Sequence, residues 1–299
     1  MRLKNAIIAL AVVCVAAFAR AGDNLDLGAP GAADRIVDRE GYALGYDAEL
    51  KIPRWVAYRL TADEVTDQKT GRINDFAPDP DIPEGPQLED YRGSGYDRGH
   101  MAPAADMKWS RNAMKECFYL SNMCPQDHAN NSDIWNDIEN TVRGFACSEG
   151  AVWVVTGPVT SKPPKKTIGK GRVAVPDGFY KVVYSETPPG KMIGFMVDNA
   201  PISGKAKHCA VAVSDIEKAT GLVFFPELAD GAALKSSFDA SAWDWSKSQK
   251  PRNRESPDTG YWLSTNSNKR HNSKCENYRR TRGRPCGKDE GVACKRCGG

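Results

Sequence analysis

Asp97-Arg98-Gly99-His100 is followed about twenty residues on by Ser121-Asn122-Met123-Cys124-Pro125-Gln126, and then by Asn131-Ser132-Asp133-Ile134-Trp135-Asn136-Asp137-Ile138-Glu139. A histidine, amides and a carboxylate within about forty residues are the parts that hydrolysis assisted by one divalent metal requires. The histidine makes the nucleophile by removing a proton from water. An amide oxygen holds a hard cation, and a carboxylate orders the water around it. A lone Asp-Arg-Gly-His tetrapeptide is weak evidence for this chemistry; the ordered combination is specific.

The elements that must position these side chains follow from pattern. Residues 55–60 alternate and are rich in β-formers, which predicts a strand, and residues 117–123 read as another that delivers Asn122. Residues 131–145 predict a helix with Ile134, Trp135, Ile138 and Val142 on one apolar face. Asn131 is expected to open that helix as its cap. Glu139 lies eight residues after Asn131, a little over two turns, so the two are expected on roughly the same side. Residues 151–156 read as a buried strand stopped by Gly157-Pro158. Residues 179–184, 192–197 and 208–213 predict further strands, and residues 215–220 a short helix ending at Gly221. Residues 75–89, with four prolines and five acids, read as a surface loop.

The flanks carry separate signals. Residues 1–21 read as a secretory signal peptide: Arg2 and Lys4, an apolar run of 13 residues, then Ala19-Arg20-Ala21 as a cleavage site. The run is too short to span a bilayer as a mature helix. A chain beginning at Gly22 and acting outside the cytoplasm, secreted or periplasmic, is the expectation, with no stable membrane insertion. Eight cysteines remain beyond Cys14, an even number that in an exported chain reads as disulfides. Residues 22–33 are expected to be loose, 34–245 to form one domain, 246–268 a linker, and 269–299 a basic Cys-rich tail. Of the net charge of +3, three positives fall in the signal, and residues 269–299 hold ten positives and three acids. The body is therefore net acidic and the tail basic, which suits a polyanion such as nucleic acid.

The central segment resembles the DNA/RNA non-specific endonuclease family. The resemblance runs through Gly95-Tyr96-Asp97-Arg98-Gly99-His100-Met101-Ala102-Pro103, Phe118-Tyr119-Leu120-Ser121-Asn122-Met123, Pro125-Gln126, and Asn131 with Trp135 and Glu139. It continues in Thr156-Gly157-Pro158, Val175-Pro176, Phe179-Tyr180-Lys181-Val182, Thr220-Gly221-Leu222 and Phe224-Phe225-Pro226. It implies an α+β fold with a central antiparallel β-sheet flanked by helices and a ββα-metal (His-Me finger) active site. It further implies Mg²⁺-dependent cleavage of DNA and RNA to 5′-phosphorylated products; Mn²⁺ suits the same oxygen-rich site.

The resemblance also assigns roles. His100 matches the general base and Asn131 the direct protein ligand to the metal. Glu139 matches the glutamate that orders the metal's water, and Asn122 a supporting amide. Arg98, and more loosely Arg72, match arginines that bind phosphate and stabilise transition-state charge. Phe118 departs from members that carry another site asparagine there. Cys124, with Cys117, reads as a disulfide or packing cysteine rather than a ligand. Dimers occur in parts of the family, but nothing in this sequence indicates one.

The tail lies outside the resemblance. Arg279, Arg280, Arg282, Arg284, Lys295 and Arg296 are its candidate nucleic-acid contacts. Its spacing, Cys275-x10-Cys286-x7-Cys294-x2-Cys297, leaves disulfides, zinc and a mixed state open, and the expected compartment favours disulfides. A non-catalytic binding protein on a nuclease scaffold is the competing reading, and the complete set of His100, Asn131 and Glu139 argues against it.

Overall fold

Successive side chains along residues 152–155 leave one strand on opposite faces. Val152 and Val154 enter one core, and Trp153 and Val155 enter another. That period of two, with both faces buried, organises the first of two units into which the chain divides, residues 1–248 and 249–299. The computed structural model describes residues 23–229, 231–236, 238–246, 260–264, 267–278 and 283–298.

The first unit is α+β. Its strands are β1 (Arg35–Asp38), β2 (Ala43–Asp47), β3 (Ile52–Thr61), β4 (Asp97–His100), β5 (Met123–Gln126) and β6 (Ala151–Val159). Then come β7 (Thr167–Ile168), β8 (Val173–Ala174), β9 (Gly178–Ser185), β10 (Lys191–Asp198) and β11 (Ala210–Val211). Seven of them form an antiparallel sheet in the order β1-β2-β3-β6-β9-β10-β11. The helix Asn136–Glu149 covers one face with Ile138, Val142 and Phe145. The helix Val213–Thr220 covers the other with Val213 and Ile216, and stops at Gly221 in the left-handed conformation, φ 70°. Each fully buried side chain of this size contributes about 1.5–3 kcal/mol, so the sheet is a rigid platform.

Strands β4 and β5 form their own antiparallel ladder, His100 opposite Met123 and Gly99 opposite Cys124. The chain leaves β5 straight into the long helix, which makes the ββα unit. Gly99 permits the close approach: a Cβ there would lie 2.0 Å from Gln126 Oε1.

Several sequence expectations are corrected. Residues 23–33 are anchored: Asn24 donates to Asp38 Oδ1 and to Arg39 O, and Gly31 O accepts from Trp55 Nε1 at 3.0 Å. Residues 117–123 are not a strand. Cys117 ends the helix Arg111–Glu116, and Leu120–Asn122 is a 3-10 turn before β5. Cys117, Phe118, Leu120 and Met123 are all buried, so composition mimicked a buried strand. Strand β6 continues past Gly157-Pro158 because its ladder with β3 ends at Thr156; Pro158 then removes no ladder donor on that side. The expected strand at 208–213 shrinks to β11, after a 3-10 turn Ala206–Cys209.

The second unit contains β12 (Tyr261–Ser264), β13 (Lys269–Asn272), β14 (Gly283–Pro285) and β15 (Val292–Ala293), in sheet order β14-β12-β13-β15. Strand β12 lies inside the stretch expected to be linker. The expected signal segment, residues 1–21, and linker residues 247–259 lie outside the described residues. Among the described residues no helix is long and apolar enough to cross a membrane.

Candidate active site

The helix that follows β5 starts earlier than its pattern predicts. Asp127 is the cap, its Oδ1 accepting from the backbone N–H groups of Ala129 and Asn130 at 2.9 and 3.1 Å. Residues His128–Asn130 are α-helical, Asn131–Trp135 form a π turn, and Asn136–Glu149 resume the α-helix. The π turn changes which residues share a face. Eight regular α steps would leave Asn131 and Glu139 about 80° apart. A π bulge absorbs one residue and reduces this to roughly 20°.

Two bonds lay this helix along β4. Asn131 Nδ2 donates to Asp97 Oδ2 at 2.9 Å, and Trp135 Nε1 donates to His100 O at 3.4 Å. Gln126 Nε2 donates to Asn130 Oδ1 at 2.8 Å, and Asn130 in turn donates to Asp198 O, tying the helix start to β10. Asn199 accepts from Asp127 N and donates to Pro125 O and Pro176 O.

His100 is 7% exposed. Phe118 meets its ring edge-on at 4.9 Å between centroids, and Phe76 lies at 5.6 Å. Arg98 stacks over Phe76 at 4.1 Å and Arg72 over Phe118 at 5.1 Å. Burial first, then the two guanidinium charges, push the His100 pKa down to about 3. The ring is therefore neutral at neutral pH, and its Nε2 is buried with no partner. Phe118, where the family's pattern places an asparagine in some members, is here a wall of the histidine pocket.

Glu139 is half-buried, and desolvation of its carboxyl raises its pKa to about 7 against the pull of Arg143, Lys181 and Arg72. Lys181 on β9 is wholly buried, with Nζ 4.9 Å from the Trp135 ring centroid and no hydrogen-bond partner. Burial lowers it to about 8. Arg143 is held by Asp106 Oδ1 and by Asn140 Oδ1 at 2.9 Å, and Tyr58 donates to Asp106 Oδ2 at 3.0 Å. The Arg72 guanidinium lowers the pKa of both His100 and Glu139 through its charge.

Asn122 does not reach the reacting groups. Its Nδ2 donates to Ala102 O and Cys117 O, and its Oδ1 accepts from Ala102 N at 2.9 Å. Its amide is spent on pinning the turn after His100, in keeping with the supporting amide expected there. Sequence reasoning missed Asp97, Lys181 and Asn199; the first stood inside the Asp-Arg-Gly-His motif, the second inside Phe-Tyr-Lys-Val. The disulfide expectation also fails here: Cys117 and Cys124 are buried thiols, with Cys117 Sγ donating to Met114 O at 3.1 Å. Burial raises both pKa values, so they are packing residues and not ligands. In the tail, Arg279, Arg280 and Arg282 lie outside the described residues, Arg284 lies on β14, Lys295 is exposed, and Arg296 pairs with Glu276.

The arrangement fits a hydrated divalent cation. Asn131's N–H is committed to Asp97, and among the described residues nothing donates to its Oδ1, the kind of neutral hard donor that Mg²⁺ accepts while keeping its waters. The family model for DNA/RNA non-specific endonucleases matches residues 20–231. The chain belongs to that family.

Among members of this endonuclease family, the mitochondrial nuclease EXOG of Danio rerio is 42% identical over 205 residues, 62% of this chain and 60% of that protein. The chain thus spans about three fifths of the EXOG sequence. Human mitochondrial endonuclease G is 35% identical over 231 residues, 72% of this chain and 77% of the relative. A crystal structure of EndoG with its inhibitor EndoGI superposes with a TM-score of 0.63 at 34% identity, covering 69% of this chain and 91% of that one. These relatives correct the expectation of an extracytoplasmic product, because both EXOG and endonuclease G are mitochondrial. Two basic residues ahead of an apolar run do not by themselves specify one targeting route, and the compartment argument for disulfides falls with that expectation.

Proposed function

We propose that this protein is a Mg²⁺-dependent endonuclease that hydrolyses DNA and RNA with little sequence preference, leaving 5′-phosphates. The observation that carries the reading is His100, a neutral imidazole with an unpartnered, buried Nε2, on the same strand as the Asp97 that engages the amide nitrogen of Asn131 and leaves its oxygen as the metal donor.

His100 takes a proton from the water that attacks phosphorus, and burial keeps the imidazole neutral and so able to accept one. Asn131 Oδ1 would hold the cation, and ionised Glu139 would order the water around it. When bound, Mg²⁺ neutralises phosphate charge and polarises the P–O bond. Arg98 and Arg72, stacked over Phe76 and Phe118, stabilise the extra negative charge of the transition state in this reading.

Supercoiled plasmid and total RNA provide the test, with Mg²⁺ or EDTA, wild type beside His100→Ala. Metal-dependent loss of both substrates, abolished by the substitution, supports the reading. Intact substrates with wild type under every divalent ion would sink it and leave a binding role.

A further inference from the structure

The second unit holds little apolar core: among its described residues Leu263 is the one buried aliphatic side chain. Something else must hold its shape. His271, Cys275, Cys294 and Cys297 converge there, with the ligand atom of each within 4.8 Å of every other. We propose that these four side chains bind one structural Zn²⁺ and that this ion holds the unit folded.

Backbone pairing builds the cluster from two directions. Strand β13 ends in a turn, Cys275 N donating to Asn272 O at 3.0 Å, and this sets His271 Nδ1 3.2 Å from Cys275 Sγ. Strand β15 runs parallel beside β13, Arg270 opposite Ala293, and Cys294 N donates to Arg270 O at 2.9 Å. The Cys294-x2-Cys297 segment then closes as a knuckle, Cys297 N and Gly298 N both donating to Cys294 O, at 3.2 and 2.8 Å. Gly298 has φ 75°, which a side chain would strain. Asn272 Nδ2 clamps the knuckle onto the turn through Cys297 O at 2.5 Å.

The donor set decides the metal class. Three sulfurs and one imidazole are a ligand set that suits tetrahedral Zn²⁺, for which ligand atoms sit roughly 3.3–3.8 Å apart. A disulfide would use two of the sulfurs, leave the third, and give the buried His271 (4% exposed) no role. Cys275 and Cys294 are thiols. Binding releases three thiol protons and leaves the site with one net negative charge, and exposed Lys274 and Lys295 stand within a residue of its ligands to offset it. The four-cysteine spacing misleads here. Cys286 stands outside the cluster, its N–H bonded to Tyr261 O at 3.2 Å, and His271 takes the fourth place.

The test uses the full-length protein, reduced and metal-free, then loaded with Zn²⁺ or Co²⁺. The expected result is near-ultraviolet thiolate-to-cobalt charge transfer, which an oxygen-ligand site cannot produce, and Zn²⁺ slowing alkylation of Cys275, Cys294 and Cys297 by roughly tenfold or more. His271→Ala should keep a thiolate band at saturating Co²⁺ but weaken Zn²⁺ binding at least about tenfold, His271→Cys should restore the affinity and strengthen the band through a fourth thiolate, and Cys286→Ser should leave both unchanged. No charge transfer and no protection in wild type would overturn the proposal. So would an unreduced mass showing two of the three sulfurs joined, or Cys286→Ser abolishing the band as fully as Cys275→Ser.

Discussion

Asn131 and Asp97 meet through one bond, Asn131 Nδ2 to Asp97 Oδ2 at 2.9 Å. Only the amide nitrogen can donate to a carboxylate, so this contact alone orients the amide oxygen. The same carboxylate oxygen takes His128 Nδ1 at 2.9 Å, and that contact raises the His128 pKa.

Asp97→Ala should therefore act on metal use. The Mg²⁺ concentration for half-maximal cleavage should rise roughly 10–100-fold, with kcat at saturating metal largely kept. A Mg²⁺ titration of plasmid nicking measures this; an unmoved midpoint would remove Asp97 from the site.

His100→Ala should cut kcat by about 10²–10⁴-fold without unfolding the protein. A stability signature follows as well. The folded-state pKa of His100 is depressed from 6.5 to about 3, so its contribution is present above pH 6.5 and lost as pH falls toward 3. Wild-type stability should decline there with a component approaching about 1.4 kcal/mol per pH unit. Urea melts across that window should show a shallower decline in the variant.

Glu139 runs the opposite way. Its folded-state pKa is raised from 4.5 to about 7, so stability is present below pH 4.5 and lost as pH rises through 7. Glu139→Gln should be inactive yet more stable than wild type above pH 7. At limiting Mg²⁺, wild-type activity should climb with pH through about 7. Lys181→Met removes a positive charge that lowers the Glu139 pKa and should shift that climb upward, while the loss of an unpaired buried ammonium leaves stability equal or higher.

Asn122→Ala strands Ala102 N, Ala102 O and Cys117 O in the core. A cost of about 3 kcal/mol or more is expected, read from the denaturant midpoint. The Mg²⁺ midpoint of the folded fraction should not move.

Removing residues 249–299 takes away the basic end of the chain. KM for DNA should rise more than kcat falls, and the dependence of KM on salt should flatten, because fewer counterions are released. Unchanged salt dependence in the truncated protein would assign encounter to the first unit alone.

The sequence by itself determined the family and the α+β class, and it put forward the candidates for the chemistry. Arg98, His100, Asn131 and Glu139 were candidates without coordinates, because reactive side-chain types at a given spacing are local information. The apolar face of Ile134, Trp135, Ile138 and Val142 was equally legible, since helical period needs only neighbours along the chain. Tertiary structure decided what depends on partners distant in sequence. The π turn that aligns Asn131 with Glu139, and the buried Lys181 against Trp135, belong to a helix start that meets β4 and β9 through Trp135. Asn122's commitment to Ala102 and Cys117, and the 3-10 turn where a strand was expected, are settled by where backbone groups find hydrogen bonds. In the second unit, cysteine spacing pointed to Cys286, whereas the parallel pairing of β13 with β15 brought His271 to the other three. Spacing counts residues along the chain, and a ligand set is defined by distances across it.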